Sequence, residues 1–337
     1  MFARKIIPGS QGDLETQNEA RVIALLCKPP THRNIVPVFQ YGALMNESYF
    51  YYDMQLCDLN LDRYISGAFP DPLPEKLQRL KVPETARAKV QRALCILLDI
   101  AEGLAFIHTR EEVHRDLKPE NGMPRYYPAH TLIVLYSSLD ENWKIGDFGL
   151  TVRGTSKNQI SSSEVKGTGG YRAPELLKDK KYNNKVDLWA FGCITWELIT
   201  ERRAFNDDFE TWGFQEGERE FPMELGLDEG PRDVLSRIVR ECLREEANRR
   251  PTSKDLSNWL RRYLGFDSGP SMTLTINTDM SATSSLGPTA SSSSRTYFPP
   301  ASKRYRRSWL MCSNREYGRN SRKVGHGTIT YAAMDDL

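Results

Sequence analysis

The chain changes character near residue 266, and that break limits how much of it can fold. Before the break, apolar residues recur at helix or strand spacing. After it, Ser271 to Arg295 is dominated by serine and threonine and holds almost no large apolar side chain. Such a segment cannot bury enough surface to offset its ordering entropy. Residues 266–337 are therefore expected to form a Ser/Thr-rich and basic, mostly disordered tail, and residues 1–265 the folded part. Over the whole chain 39% of residues are hydrophobic and 27% charged, which excludes disorder throughout.

The net charge of +2 hides an unevenness. The tail carries nine lysines and arginines against five acids, and the remainder carries 37 against 39. The folded part thus gives no reason to expect specific nucleic-acid binding. Lys303-Arg304-Tyr305-Arg306-Arg307 reads as a solvated charge run. No stretch approaches the ~18–20 apolar residues of a membrane span, and Met1 to Lys5 opens no secretory signal. Six cysteines, at 27, 57, 95, 193, 242 and 312, form no Cys-x-x-Cys pair and read as reduced thiols. The expectation is a cytoplasmic or nuclear protein with no membrane partner.

Residues 1–57 mix strands with one helix. Phe2 to Ile7 reads as a strand, and Leu14 to Leu26 has helical periodicity through Leu14, Ala20, Ile23 and Ala24. Ile35 to Tyr41 and Tyr49 to Gln55, rich in aromatic and β-branched residues, read as strands. From residue 58 onward helices dominate, over Ala88 to His108, Val186 to Ile199, Asp233 to Leu243 and Ser253 to Leu264. The second of these is apolar nearly all round, which places it in a core. A small strand-rich part followed by a larger helical part sets a cleft at their junction.

The chemistry-bearing residues gather in a few strings. His114-Arg115-Asp116-Leu117-Lys118-Pro119-Glu120-Asn121 holds an aspartate, a lysine and an asparagine within a short span. Asp147-Phe148-Gly149 follows, then Gly167-Thr168-Gly169-Gly170-Tyr171-Arg172-Ala173-Pro174-Glu175, then Asp187-Leu188-Trp189 and Arg250-Pro251. Taken in series, these strings resemble the eukaryotic-type protein kinase family, over roughly residues 2–265. The resemblance implies an α+β, two-lobed fold, with a small β-rich N-lobe over 1–57 and a larger helical C-lobe over 58–265.

The resemblance also implies an activity, transfer of the γ-phosphate of Mg·ATP to protein hydroxyls, with ATP and Mg²⁺ as cofactors and a protein substrate of unknown identity as partner. Lys118 marks the serine/threonine form of the loop. Phosphoryl transfer needs positioning and charge neutralisation more than covalent chemistry. Asp116 would orient the substrate hydroxyl, and Lys118 would neutralise the transferring group. Asn121 and Asp147 would offer oxygen ligands that suit hard Mg²⁺. Lys5, in Phe2-Ala3-Arg4-Lys5, would hold the α/β-phosphates with Glu19 as its partner and Glu15, one turn earlier, as the alternative. Ala3, Met54, Gln55, Cys57 and Leu135 (or Val134) would line the adenine pocket, and Asp62 reads either as a ribose contact or as an ordinary exposed helix charge. His114 and Phe148 would pack beneath the site, and Thr168 would hydrogen-bond Asp116 and Lys118. Glu175 and Arg250 would form a buried ion pair, and Asp187 would hold the catalytic-loop backbone. Ser161, Ser162 and Ser163, in the segment from Asp147 to Glu175, read either as a merely polar loop or as the site of a regulatory phosphate read by Arg115.

Three departures from the family's pattern stand out. Only four residues precede Lys5, so no Gly-x-Gly-x-x-Gly stands ahead of it; Gly9 and Gly12 follow it. The expectation is an N-lobe lacking its first two strands. With it comes an alternative function, a catalytically impaired kinase-like interaction protein or a kinase fragment. Second, 25 residues separate Asn121 from Asp147, where the family has roughly 12–13. The surplus reads as Gly122 to Ile133. Third, Cys27 to Thr31 and the proline-rich Gly67 to Lys81 lengthen two links and read as surface loops.

Overall fold

The computed structural model describes residues 2–8, 14–44, 48–81, 85–119, 133–162, 164–178, 180–215 and 230–266. The expectations for Gly9, Gly12, Asn121, Ser163 and the tail beyond residue 266 lie outside these residues. Contacts group the described residues up to Leu260 into one unit, and Arg261 begins the second. The first unit carries every element except the end of the last helix.

Its N-terminal part is an antiparallel sheet with one helix. β1 (Phe2–Pro8), α1 (Leu14–Leu26), β2 (Val38–Leu44) and β3 (Tyr49–Gln55) follow in chain order, and the sheet runs β1-β3-β2. Ala3 pairs with Met54 and Lys5 with Tyr52. Strand alternation therefore puts these four on one face. Tyr52 is fully buried there. α1 turns Thr16, Glu19, Val22, Ile23 and Leu26 inward, at the three- and four-residue spacing of one helical face.

The strand expected over Ile35 to Tyr41 starts instead at Val38. Pro37 has no amide hydrogen for a ladder. The residues before it bond elsewhere: Ile35 bridges Ile145, and the Val36 amide donates to Ile145 O at 2.9 Å. Asn34 O in turn accepts the Ile145 amide at 2.8 Å. Cys27, expected in a surface loop, is fully buried, and its carbonyl accepts the Val38 amide.

The C-terminal part is helical with small sheets set among the helices. β4 (Leu59–Asn60) leads into α2 (Leu61–Ile65), capped by Asn60 Oδ1 accepting the Arg63 amide at 2.8 Å. A 3₁₀ turn over Glu75–Leu80 buries Leu77 and Leu80, so the proline-rich link contributes to the core rather than lying wholly on the surface. α3 (Ala86–Thr109) begins earlier than its periodicity predicts because Thr85 caps it, accepting the Ala88 amide.

β5 (Glu112–Val113) precedes a buried hairpin of β6 (Val134–Ser137) and β7 (Asn142–Ile145), with β4 on its other edge. Ile133, which the motif spacing places in the surplus segment, is buried, and its carbonyl accepts the Gly146 amide at 2.8 Å. It belongs to the core beside β6. β8 (Val152–Arg153) pairs with β5. β9 (Ile160–Ser161) pairs with β10 (Lys181–Tyr182), and α4 (Pro174–Lys178) lies between them in sequence. α5 (Lys185–Thr200) buries every residue from Lys185 to Leu198, as its all-round apolarity requires. α6 (Asp208–Gln215), α7 (Pro231–Cys242) and α8 (Ser253–Tyr263) complete the order. Among the described residues no helix is long and apolar enough to cross a membrane.

Candidate active site

The inward face of β1 delivers Lys5 to two carboxylates. Its Nζ lies 3.2 Å from Glu19 Oε1 on α1 and 2.8 Å from Asp147 Oδ1 in the loop after β7. Burial works against the Lys5 ammonium, but Asp147 and Glu19 outweigh it and hold the group above the ordinary lysine value. The nearer carboxylate gains more. Burial opposes ionisation of Asp147, yet Lys5 overcomes it and the carboxyl sits below its usual range. At Glu19 burial prevails over the longer contact, and the carboxyl is raised. Glu15, the alternative partner, pairs instead with Lys166 at 2.6 Å.

A second cluster surrounds Asp116. Thr168 Oγ1 donates to Asp116 Oδ1 at 2.7 Å, Lys118 Nζ stands 3.2 Å from Asp116 Oδ2, and Lys118 also donates to Thr168 Oγ1. Gly167 makes this approach feasible. It has φ 98°, and a Cβ there would lie 2.7 Å from Arg115 O. Arg115 and Asp147 also have positive φ, 69° and 57°. Such backbone costs of order 1–3 kcal/mol at a non-glycine residue and persists only where its surroundings impose it.

The surroundings do impose it. Asp187 Oδ1 accepts the Arg115 amide at 2.8 Å and Oδ2 the His114 amide at 2.9 Å, while His108 Nε2 sits 2.8 Å from Oδ2. Burial opposes the Asp187 charge, but His108 and its other partners outweigh it and hold the carboxyl below the usual range. The His114 ring meets Phe148 edge-on at 5.5 Å, and its Nε2 lies 3.0 Å from Gly146 O. Arg250 grips Glu175 with both terminal nitrogens, at 2.7 and 2.8 Å, and its side chain is fully buried.

Ala3 is buried opposite Met54, and Leu135 and Val134 are buried on β6. The Gln55 amide is already bonded to Pro37 O, and its side chain donates to Ser137 Oγ at 2.7 Å. Burial pushes the Cys57 thiol up to about 12. Asp62 lies on α2, where its amide donates to Pro119 O. Arg115 does not reach Ser161 or Ser162 directly; it donates to Leu150 O at 2.5 Å and to Tyr182 Oη at 2.8 Å. Tyr182 pairs with Ile160, one residue before the exposed Ser161. Ser162 Oγ donates to Glu164 O.

Among the contacts that escape the sequence reading, two join distant elements with well-buried carboxylates. Tyr171 Oη donates to Glu197 Oε1 at 2.7 Å, and the signal for it was a glutamate inside a mostly apolar helix. Arg21 holds Glu112 with two bonds across 91 positions, and nothing in the sequence marks that pair.

The profile described as Protein kinase domain matches residues 1–260. The chain belongs to the protein kinase family. This kinase domain is 28% identical to Cysteine-rich receptor-like protein kinase 36 of Arabidopsis thaliana, over 77% of the chain and 37% of that protein. It is 28% identical to Aurora kinase C of Mus musculus, over 62% of the chain and 64% of that protein. It is 35% identical to Serine/threonine-protein kinase H2 of Homo sapiens, over 35% of the chain and 28% of that protein. The chain spans less than two thirds of the length of each of these relatives.

Proposed function

We propose that this chain is an ATP-dependent protein serine/threonine kinase of two-lobed build, acting in the cleft between the sheet of β1–β3 and the helical part. The observation that carries the reading is the convergence of Thr168 and Lys118 on Asp116. A hydroxyl donor fixes the orientation of the carboxylate, and an ammonium stands beside it to meet charge on a transferring phosphoryl group. Asp116 accepts the proton of the acceptor hydroxyl. Lys118 offsets negative charge on the oxygens in flight. Lys5, steadied by Glu19, binds the phosphates that do not move. Ala3, Met54, Leu135 and the Cys57 backbone enclose the base.

The donor chemistry at Asp147 fits a divalent cation. Its carboxyl is held in the ionised form, and among the described residues no group of three or more His, Cys, Asp or Glu side chains could hold a metal alone. A cation there would complete its shell with water and phosphate oxygens, which is how Mg²⁺ is usually bound in such sites. Asp147 and Asn121 would hold Mg²⁺, which when bound neutralises phosphate charge. Ser161 and Ser162 are the proposed sites of a regulatory phosphate, with Arg115 linked to their hairpin through Tyr182.

The test is transfer of labelled phosphate from ATP to a mixture of serine- and threonine-containing proteins, with Asp116→Asn as control. Label in the wild type and its loss in the variant support the reading. Equal label in both overturns it.

A further inference from the structure

The Lys5–Glu19 contact depends on where α1 is held, and the polar residues along one side of α1 bond to the helical part. Glu15, Asn18 and Arg21 are spaced three apart, so they lie along one flank. Glu15 meets Lys166. Asn18 Nδ2 donates to Thr151 O at 2.7 Å, just beyond Asp147-Phe148-Gly149. Arg21 Nη1 and Nη2 donate to Glu112 Oε1 and Oε2 at 2.6 and 3.0 Å. Arg21 also donates to Asn18 Oδ1 at 3.1 and 3.3 Å, so the two act as one unit.

The Arg21–Glu112 contact differs from an ordinary surface bridge. Glu112 has a side chain 1% exposed, against 43% for Arg21. A buried carboxylate needs its partner far more than an exposed one does. The two-pronged guanidinium contact also fixes direction, which apolar packing of Val22, Ile23 and Leu26 does not. Glu112 lies on β5, two residues before His114 and four before Asp116. The bridge therefore joins the helix bearing Glu19 to the strand that feeds the catalytic loop.

We propose that Arg21 is a positioning residue for the nucleotide site, holding α1 through Glu112 so that Glu19 stays at Lys5. Its effect on turnover rests on the kinase reading; its effect on Lys5 does not. Without the bridge, α1 loses the two-pronged contact among its polar anchors, Glu19 moves off, and the Lys5 amine is left uncovered on that side.

The experiment uses the full chain as wild type, Arg21→Ala, Arg21→Lys, Glu112→Gln and, as reference, Glu19→Gln. Lys5 acetylation by an N-hydroxysuccinimide ester is followed by mass spectrometry, well below each variant's melting range, beside phosphate incorporation. Arg21→Ala and Glu112→Gln are expected to raise Lys5 labelling toward the Glu19→Gln level. They are also expected to lower kcat roughly ten- to a hundredfold with little change in KM for the acceptor protein. Arg21→Lys, with the charge but not the fork, recovers part of the loss. Should Arg21→Ala fail to fold, Glu112→Gln, which keeps the side-chain volume, decides the matter. Wild-type Lys5 labelling in a folded variant lacking the bridge overturns the proposal, whatever its melting temperature. Absence of phosphate transfer by the wild type counts against the kinase reading alone and leaves the labelling result standing.

Discussion

Glu197 carries a carboxyl that burial pushes up to about 8, against the lowering pull of the Tyr171 hydroxyl and with Asp62 adding to the rise. In the unfolded chain it ionises near its ordinary value of 4.5. Between those two values the folded state holds a proton that the unfolded state has lost, so stability falls as pH rises through this window. Glu197→Gln keeps an acceptor for Tyr171 and cannot ionise. It is expected to remove that part of the slope and to gain roughly 3–4 kcal/mol over wild type at pH 8 relative to pH 5, read from urea midpoints across that range. Arg250 presents the opposite case. Its fully buried guanidinium serves Glu175 and three carbonyls and stacks over Trp189 at 5.1 Å. Arg250→Ala leaves Glu175 without its cation and is expected to cost ~3–5 kcal/mol in urea unfolding. Residues such as Asp116, Lys118 and Asp147 were legible because their neighbours in sequence form strings with a chemical logic. Arg21 and Glu112 were not, since only folding brings them together and each alone is an ordinary charged residue.

The long helix α3 comes so close to the loop before β2 that a Cβ on Gly103 would lie 2.9 Å from Asn34 O and 2.9 Å from Ile145 Cδ1. Helix propensity alone favours alanine there by ~1 kcal/mol. The neighbour is backbone, held by its own bond to the Ile145 amide, and it cannot turn aside as a side chain would. Overpacking of this kind costs ~1–3 kcal/mol, so Gly103→Ala is expected to lower the melting temperature. The sequence marked α1 and β3 to the residue because apolar spacing and aromatic density define their buried faces. It misplaced the start of β2, where Pro37 and the competing bonds to Ile145 decide. The two-residue strands β4, β5, β8, β9 and β10 carry no period at all, and only their partners define them.

Across the whole molecule, the candidate site draws on β1 and on the segment around Thr168, so the nucleotide binding proposed for it would report on the assembled domain. Mg·ATP at a hundredfold its Kd is expected to stabilise the folded chain by about 2.7 kcal/mol, read as a rise in melting temperature. Lys5→Met and Asp147→Asn are expected to abolish most of that rise while melting as single folded species without nucleotide. A rise unchanged in both variants would place the nucleotide elsewhere.

The Glu175–Arg250 bridge also bears on synthesis, which proceeds from the N-terminus. Its two ends are 75 positions apart, and Arg250 further ties down the carbonyls of Arg244, Glu245 and Lys185. A nascent chain that already contains Asp116, Asp147 and Thr168 still lacks the cation that fixes the segment ending at Glu175. The growing polypeptide thus holds Asp116, Asp147 and Thr168 long before the bridge that fixes the segment ending at Glu175 can close.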